Sequence, residues 1–232
     1  MNSKRWRVLV ADAPAQVCHD YEPDDSDRRV LLLCRPTSRS VVLGAAQKAD
    51  LFDGSVLSSQ GFELAKRSSG GGAVIVEPKG QLWAHLFIRP DDRLWEDDVL
   101  VAFDWIGELS VAFFEFLGLK DVLVSRTKGQ SAGLSRLICF ADVGLSEATW
   151  RGKKISGVSQ RRRRNYASFQ FQLLLGDNQS QLVDLLDLSG SLECAVTPPL
   201  NVLGVKEMDQ ATIFEVGMLE TALIETLVGL KL

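Results

Sequence analysis

The sequence predicts an α+β domain, in which a mixed β-sheet packs against helices. Short runs of β-branched and aliphatic residues, bounded by Gly or Pro, alternate with longer segments of helical periodicity. Two helical segments are pronounced, one from Asp97 or Asp98 to about Leu117 and one that begins at Asp209. No linker, internal repeat or low-complexity tract interrupts the 232 residues, so we expect one domain spanning 1–232.

The first ninety residues predict mainly strands. These are expected at 5–10, 30–34, 40–43, 73–76 and 82–88. The second and third, bounded by Pro36 and Gly44, are expected to pair with each other, and a turn at 78–80 separates the last two. A helix is expected over 47–52, with Gly54 ending it or starting a turn, and the stretch 61–67 has mixed character.

The remaining residues predict three helices and further strands. The helix that ends before Gly118 has apolar residues at every third or fourth position, which predicts a buried stripe made of Val99, Phe103, Ile106, Leu109, Phe113 and Phe116. Strands are expected at 122–124 and 137–140, and segments 148–155 and 169–175 resemble a hairpin around an Arg-rich stretch. Asn178 is expected to cap a helix that runs through Leu188, and Asp209 is expected to begin the last, amphipathic helix.

Composition excludes several classes of function. A net charge of −4 argues against a general nucleic-acid or membrane binder. The charged start carries no secretory signal, and no apolar stretch reaches membrane-spanning length. The four cysteines are far apart and form no CxxC pair, which argues against a zinc site or a disulfide framework. We therefore expect a cytoplasmic protein with no metal site.

A glycine run, Gly70, Gly71 and Gly72, precedes the strand at 73–76. Glycines permit positive φ and close approach of a ligand to the main chain, so such a loop can cradle a phosphate or carboxylate. Lys66 and Arg67 add cationic donors next to it. A flexible turn between strands explains the run equally well, and no Gly-Lys-Ser/Thr motif or Rossmann fingerprint is present.

A second candidate is a lysine turn, 151–157. Lys154 is followed by Ser156 and Gly157, which are small enough for a ligand to lie against the backbone beside an ammonium group. Solvated surface lysines on a hairpin are the simpler interpretation of this segment alone. Upstream, Cys139 lies between Ile138 and Phe140, a context typical of an inert core thiol. A nearby lysine would instead favour the thiolate that covalent acyl transfer requires.

Four consecutive arginines occupy 161–164. The simplest interpretation is a solvated surface patch. The alternatives are a surface that docks an acidic carrier domain and, less favoured, one that contacts nucleic acid. If they lie on a strand, alternate arginines face opposite sides and cannot act as one patch.

Together these segments resemble the lipoate–protein ligase A and octanoyltransferase superfamily, which shares its fold with biotin–protein ligases. The first family motif is matched by Lys66, Arg67, Ser68, Ser69, Gly70, Gly71, Gly72, Ala73 and Val74. The second is matched by Gly152, Lys153, Lys154, Ile155, Ser156, Gly157, Val158, Ser159 and Gln160. The strand that ends in Gly44 and Gln47 is also similar, and the resemblance is strongest over 30–190.

The resemblance implies roles for individual residues. Lys154 matches the lysine that contacts the acyl carbonyl, and Cys139 matches the nucleophile of one octanoyltransferase branch. Substrate-binding positions are implied at Arg67, Ser69, Gly70, Gly71, Gly72, Ala73, Trp83, Ser156, Gly157 and Ser159. The sequence departs from the family at Val76 and Glu77, where His-Asp is usual, and in the strand around Trp83 and His85.

Three hypotheses about function follow from the resemblance. In the first, a transferase with no cofactor moves an octanoyl or lipoyl group through a Cys139 thioester onto a lysine of a lipoyl carrier domain. The carrier is an E2 subunit or the glycine cleavage H protein, and acyl carrier protein is a possible donor.

In the second hypothesis, a ligase uses ATP and magnesium to form an acyl-adenylate with a partner accessory domain. The absence of an accessory domain after the last helix favours the transferase. In the third, the chain is a non-catalytic homologue that binds an acyl group or cofactor.

Overall fold

The computed structural model describes residues 5–127, 129, 133–186 and 214–230. Its strands are β1 Arg7–Ala13, β2 Arg29–Pro36, β3 Arg39–Leu43, β4 Phe62–Lys66, β5 Val74–Val76, β6 Gln81–Ile88, β7 Val122–Val124, β8 Ala148–Trp150, β9 Lys153–Lys154, β10 Ser156–Arg162 and β11 Ala167–Leu174. Its α-helices are α1 Ala15–Asp20, α2 Gly54–Ser59, α3 Asp104–Phe116, α4 Gln181–Leu185 and α5 Val216–Gly229.

The described strands form three sheets. The largest has the order β1-β2-β6-β11-β10, in which β1 and β2 are parallel and all other neighbours are antiparallel. A second sheet has the order β4-β3-β5, with β3 parallel to β4 and antiparallel to β5. A third contains β7, β8 and β9. The expected α+β fold with mixed sheets and packed helices is confirmed.

The large sheet separates two layers. Side chains alternate along β6 and β11, because successive residues of a strand point to opposite faces. One face packs with α3 and α5 and contributes Leu82, Ala84, Leu86, Ile88, Phe169, Phe171 and Leu173 to an apolar core. The other face carries Trp83, His85 and Phe87 on β6 and Gln170 and Gln172 on β11, and it lies towards α1 and the second sheet. The candidate site lies in this second layer.

The pairing expected between β2 and β3 is wrong. β2 pairs with β1 and β6, whereas β3 lies in the second sheet between β4 and β5. Only two residues separate β2 from β3, a spacing typical of a hairpin, so the sequence does not show that the two strands belong to different sheets. The undecided stretch 61–67 contains β4, and the expected strands at 5–10, 73–76, 82–88 and 122–124 correspond to β1, β5, β6 and β7.

Two later strand predictions also need correction. Segment 137–140 is no strand: Ile138 makes an isolated parallel bridge to Ala73, and Cys139–Ala141 is a 3-10 turn. Segment 148–155 forms two short strands, β8 and β9, that pair with each other. The hairpin partner of β11 is β10, which follows them.

The helices differ from expectation mainly at their ends. Segment 47–52 contains a 3-10 turn, Ala49–Leu51, and Gly54 begins α2, whose first amides are capped by the Asp53 carboxylate. The Asp98 carboxylate accepts hydrogen bonds from the amides of Leu100 and Val101, as expected of a cap, but a 3-10 turn intervenes before α3 begins at Asp104.

The stripe on the long helix is buried over its middle. Ile106, Leu109 and Phe113 are at most 1% exposed, but Val99 is 50% and Phe116 is 54% exposed, so these two expected members are wrong. Both lie at or beyond the ends of α3, where the core no longer covers the stripe.

The last two predicted helices are found in part. α4 begins at Gln181, so Asn178 is not its N-cap; the Asn178 side chain donates to Glu77 instead. Leu188, Cys194 and Asp209 lie outside the described residues. Within the described residues, the final helix is α5, Val216–Gly229. None of the described helices is long and apolar enough to cross a membrane.

Candidate active site

A cavity lies between the polar face of the large sheet and the layer formed by α1 and the second sheet. Its volume is about 30 Å³, which leaves room for about two water molecules. The lining residues are His19, Arg67, Val74, Val76, Trp83, Cys139, Gly157, Val158, Ser159, Gln170 and Gln172. A larger cavity of about 560 Å³ beside Arg35, Lys79 and Glu215 contains none of the expected site residues.

The glycine loop is packed against the main chain on two sides. A Cβ on Gly44 would lie 1.9 Å from the carbonyl oxygen of Gly71, and a Cβ on Gly72 would lie 2.7 Å from the amide nitrogen of Cys139. Gly71 has a φ of +100°, which disfavours any other residue. Glycine is therefore required for close approach at 44 and 72. Gln47 closes the contact, since its side chain accepts from the Gly44 amide and donates to the Leu137 carbonyl.

Cys139 is attached directly to this loop. The Ala73 amide donates to the Leu137 carbonyl over 2.6 Å, and the Cys139 amide donates to the Ala73 carbonyl over 2.8 Å. These bonds form the isolated bridge between Ala73 and Ile138. Cys139 itself is half-buried and lines the cavity, whereas Cys18 and Cys34 are fully buried elsewhere. Its position is therefore unlike that of an inert core thiol.

Arg67 is a buried cation at the edge of the cavity. It is 4% exposed, and its guanidinium donates to the carbonyls of Gly70 (2.9 Å) and Gly72 (2.7 Å). Burial lowers the pKa of Arg67, an effect opposed by Cys139 and Glu147, and both Arg67 and Cys139 line the cavity. Arginine stays protonated in proteins, so the cavity has a fixed positive charge next to a thiol.

Lys154 is held behind Cys139, and it does not line the cavity. The residue is 2% exposed; its Nζ donates to the carbonyls of Cys139 (2.9 Å) and Asp142 (2.8 Å) and forms an ion pair with the Glu147 carboxylate (2.5 Å). Two main-chain carbonyls and one carboxylate are therefore the partners of this ammonium group. Lys154 therefore fixes the turn that carries the cysteine.

Glu147 completes this buried cluster. Besides Lys154, its carboxylate accepts from the amides of Gly144 (2.5 Å) and Val158 (3.1 Å). It thus connects the cysteine segment to β10, which contributes Gly157 and Ser159 to the cavity. Buried charges require such a set of partners, because an unpaired one is strongly destabilising.

The polar wall of the cavity contains a histidine with a free nitrogen. Nδ1 of His19 lies 3.4 Å from Nε2 of Gln170, and its buried Nε2 has no hydrogen-bond partner. If the Gln170 amide donates to Nδ1, the neutral ring carries its hydrogen on Nε2 and can donate it to a ligand. Burial chiefly, then His85 and Arg67, lower the pKa of His19 well below its usual range, so the ring is neutral at pH 7.

The structure places five of the twelve expected site residues in the cavity wall. Arg67, Trp83, Cys139, Gly157 and Ser159 line the cavity. Ser69 lies beside it, with its hydroxyl 3.0 Å from that of Ser159, and Gly70 and Gly72 bind Arg67 through their carbonyls.

The remaining expected residues have other contacts. The Ser156 hydroxyl accepts from the Ala148 amide, and the Ala73 amide is bound to Leu137. Lys66, from the first motif, donates to the Gln47 carbonyl and is exposed. Among the residues that the structure describes, no cluster of three or more His, Cys, Asp or Glu could hold a metal ion.

Sequence patterns missed several lining residues. Gln170 and Gln172 alternate with Phe169 and Phe171, and this polar–apolar alternation could have indicated a polar cavity face on β11. His19 lies on α1, a six-residue helix without a side-chain cap, which leaves no clear periodicity.

The arginines at 161–164 do not form one patch. Arg161 lies 3.5 Å and Arg163 4.0 Å from the Glu22 carboxylate, whereas the Arg162 guanidinium stacks on the Trp95 ring. Arg161 and Arg162 belong to β10, so the prediction that alternate arginines face opposite sides is confirmed.

Residues 15–225 match the family described as the lipoyl protein ligase A/B catalytic domain. A structure of lipoate-protein ligase A bound with ATP is similar over 97% of this chain and 84% of that one, with 22% identity and a TM-score of 0.71. A lipoate protein ligase from Thermoplasma acidophilum with bound lipoic acid is similar over the same shares, with 19% identity and a TM-score of 0.69.

A bi-partite lipoate protein ligase from that organism, described with its E2 lipoyl domain, has 19% identity and a TM-score of 0.68 over 96% of this chain and 82% of that one. At these identities the structures establish the fold. No curated protein sequence matches the chain significantly. Because the family match covers most of the chain, the protein belongs to the lipoyl protein ligase A/B catalytic domain family and is an octanoyl- or lipoyl-transferring or -ligating enzyme.

Proposed function

We propose that the protein is an acyltransferase that moves an octanoyl or lipoyl group from a thioester donor to a lysine of a lipoyl carrier domain, through a thioester on Cys139. The observation that carries this proposal is the position of Cys139, half-buried in the wall of the cavity that Arg67 also lines. The unpartnered Nε2 of His19 at the same cavity also favours a ligand there.

The reaction has two balanced steps. The Cys139 thiolate attacks the acyl carbonyl carbon of the donor; a new C–S bond forms, the donor C–S bond breaks, and the donor leaves as a thiolate that takes up a proton. The neutral amine of the carrier lysine then attacks the enzyme thioester. A C–N bond forms, the amine loses a proton to solvent, and Cys139 is released as a thiolate.

In this scheme Lys154 is a positioning residue. Its Nζ is held by the carbonyls of Cys139 and Asp142 and by the Glu147 carboxylate and does not line the cavity, so it lies away from the acyl group in this arrangement. It holds the main chain of the nucleophile instead. An acyl chain must enlarge the cavity by moving lining side chains, of which Val74, Val76 and Trp83 are apolar enough to contact it.

The family supports a carrier domain as the acceptor. The Thermoplasma ligase is described with its E2 lipoyl domain, and we propose such a domain, or the glycine cleavage H protein, as the acceptor here. Acyl carrier protein is the proposed donor, and the cytoplasm the proposed location.

Intact-mass spectrometry tests the proposal. Incubation with octanoyl–acyl carrier protein should add one octanoyl group to the wild-type protein and to Cys34→Ala, but not to Cys139→Ala. Cys34 is a matched control because its thiol is buried outside this cavity, and burial raises the pKa of Cys34 well above the usual range. Octanoylation of Cys139→Ala at the wild-type rate would contradict the proposal.

The second candidate is an ATP-dependent ligase that uses magnesium and free lipoate. Arg67, a buried guanidinium without a carboxylate partner among the described residues, favours it, since such a group can bind the phosphate of an acyl-adenylate. ATP-dependent modification of a carrier domain, undiminished in Cys139→Ala, would establish this candidate. Ligand binding without modification under either condition would instead indicate a non-catalytic homologue.

A further inference from the structure

Three arginines in the described part of the chain are buried, and they are balanced differently. The Arg29 guanidinium makes two hydrogen bonds to the Asp92 carboxylate, at 2.7 and 2.8 Å. Arg89 donates to main-chain carbonyls and lies 3.8 Å from the Asp25 carboxylate. Arg67 donates to carbonyl oxygens too, but no described carboxylate lies within ion-pair distance of it. Among the described residues, its charge therefore has no carboxylate in direct contact.

The other charged groups near Cys139 do not supply one. The Glu147 carboxylate is engaged by Lys154 and two amides, so this pair is neutral as a unit. The Asp142 carboxylate accepts from the Val143 amide, and its carbonyl binds Lys154. His19, across the cavity, is neutral at pH 7 because burial lowers its pKa. The Asp142 carboxylate keeps its negative charge but does not line the cavity, so Arg67 is the one charged group among the described residues that lines the cavity together with the thiol.

We infer that Arg67 is the counter-ion of a Cys139 thiolate and so the positioning residue that activates the nucleophile. Both residues line the same cavity. They are also held by adjacent residues of the loop: the Arg67 guanidinium donates to the Gly72 carbonyl, and the Cys139 amide donates to the Ala73 carbonyl. A buried cation without a carboxylate favours an anion beside it, and a thiolate is the form that attacks an acyl thioester. The inference rests on the proposed function, in which Cys139 is the nucleophile.

Alkylation of Cys139 by iodoacetamide tests this inference without an acyl donor. The rate is followed on the tryptic peptide 137–151, which contains no other cysteine, across pH 5–9. We expect Arg67→Gln to lower the rate at pH 7 at least fivefold and to move the rise of the pH profile to higher pH. Arg67→Lys keeps the charge but loses the planar fork, so it should recover part of the rate.

Arg89→Gln is the matched control, because it also removes a buried guanidinium bound to main-chain carbonyls, away from the cavity. Its alkylation profile should match that of the wild type. Equal rates and profiles in wild type and folded Arg67→Gln would overturn the inference. If Arg67→Gln does not fold, the wild-type profile decides, compared with that of glutathione as a free thiol: a rise at the same pH as glutathione would overturn the inference, and a rise at lower pH would support it.

The two proposals can fail separately. Loss of octanoyl transfer with an Arg67-dependent alkylation profile would remove the acyltransferase and leave the thiolate pair. Octanoylation of Cys139 with an alkylation profile independent of Arg67 would do the reverse.

Discussion

The two faces of the strand pair β6 and β11 differ in chemistry although they share one backbone. On the face towards α3 and α5, Phe169 and Phe171 stack edge to face on Trp105 and Phe113, with ring centroids 4.9 and 6.0 Å apart. On the other face, Gln170 and Gln172 line the cavity. Alternation along a strand lets one element serve stability on one side and a site on the other.

Buried polar atoms without a hydrogen-bond partner occur on both faces. Trp83, His19 and His85 form a ring cluster on the cavity face, where both histidines have an unsatisfied Nε2. Unsatisfied buried groups cost stability. The Nε1 atoms of Trp6 and Trp105, on the other face, are unsatisfied too, so what distinguishes His19 is that its free Nε2 belongs to a residue that lines the cavity, where a ligand would complete it.

The largest expected effect is on the apolar face. Phe171→Ala should lower the free energy of unfolding by about 3–5 kcal/mol, because it leaves a cavity in the close-packed core. Urea denaturation measures the change. Gln170→Ala, the neighbouring residue on the cavity face, is the control and should cost less than about 1 kcal/mol. Similar decreases in the free energy of unfolding of the two variants would mean that the cavity face contributes as much to stability as the apolar face.

A comparable loss is expected at the edge of the cavity. Lys154→Met should lower the free energy of unfolding by about 3 kcal/mol, since it leaves the Glu147 carboxylate buried without its cation. Adding Glu147→Gln to that variant should recover part of the loss. Denaturation curves of the two single variants and the double variant test this, and strictly additive losses would contradict a coupled ion pair.

A smaller effect should distinguish two neighbouring glycines. Gly72→Ala places a Cβ within 2.7 Å of the Cys139 main chain, whereas nothing lies within 4 Å of a Cβ on Gly70. Overpacking against main chain costs about 1–3 kcal/mol, so Gly72→Ala should be destabilised by that amount and should alkylate Cys139 at a changed rate. Gly70→Ala should be near wild type in both stability and Cys139 alkylation. Equal results for the two variants would contradict the prediction, because they would show that the loop can move to accommodate a Cβ at Gly72.

The glycine loop also shows how far the sequence could lead. The family motifs predicted Arg67 and Cys139 near one ligand, because they specify a loop and a segment at known separations. They did not predict that Lys154 lies behind the cysteine, since its partners there are two main-chain carbonyls and the Glu147 carboxylate. Such contacts depend on a tertiary turn that no local pattern encodes.

The pairing of β2 with β3 was predicted wrongly for a related reason. β2 and β3 are separated by a short turn but belong to different sheets, and local periodicity reports the faces of a strand but not its neighbours. The long helix was predicted well in its middle, where burial imposes the periodicity. Its ends were predicted poorly because 3-10 turns and exposed apolar residues follow no such rule.

The smallest expected effect concerns pH and the cavity face. Burial lowers the pKa of His85 to about 3, against an ordinary value of 6.5. Between these values the unfolded chain binds the proton and the folded one does not, so the stability contributed by His85 is complete above about pH 6.5 and is lost as pH falls.

His85→Leu should therefore flatten the acid dependence of stability. The free energy of unfolding should fall by about 1 kcal/mol less between pH 6 and pH 5 than in wild type, measured by urea denaturation at each pH. His19, whose pKa is also lowered, keeps its own contribution in the variant. An unchanged slope would mean that His85 is protonated in the folded protein.

The bridge between Ala73 and Ile138 has a kinetic consequence. The amide hydrogens of Ala73 and Cys139 each bond across this bridge, and neither belongs to a sheet. They should exchange with solvent together, at a rate set by one local opening. Each such opening would detach the cysteine from the loop that carries its counter-charge, so the lifetime of the bridge bounds the time during which the nucleophile is in place.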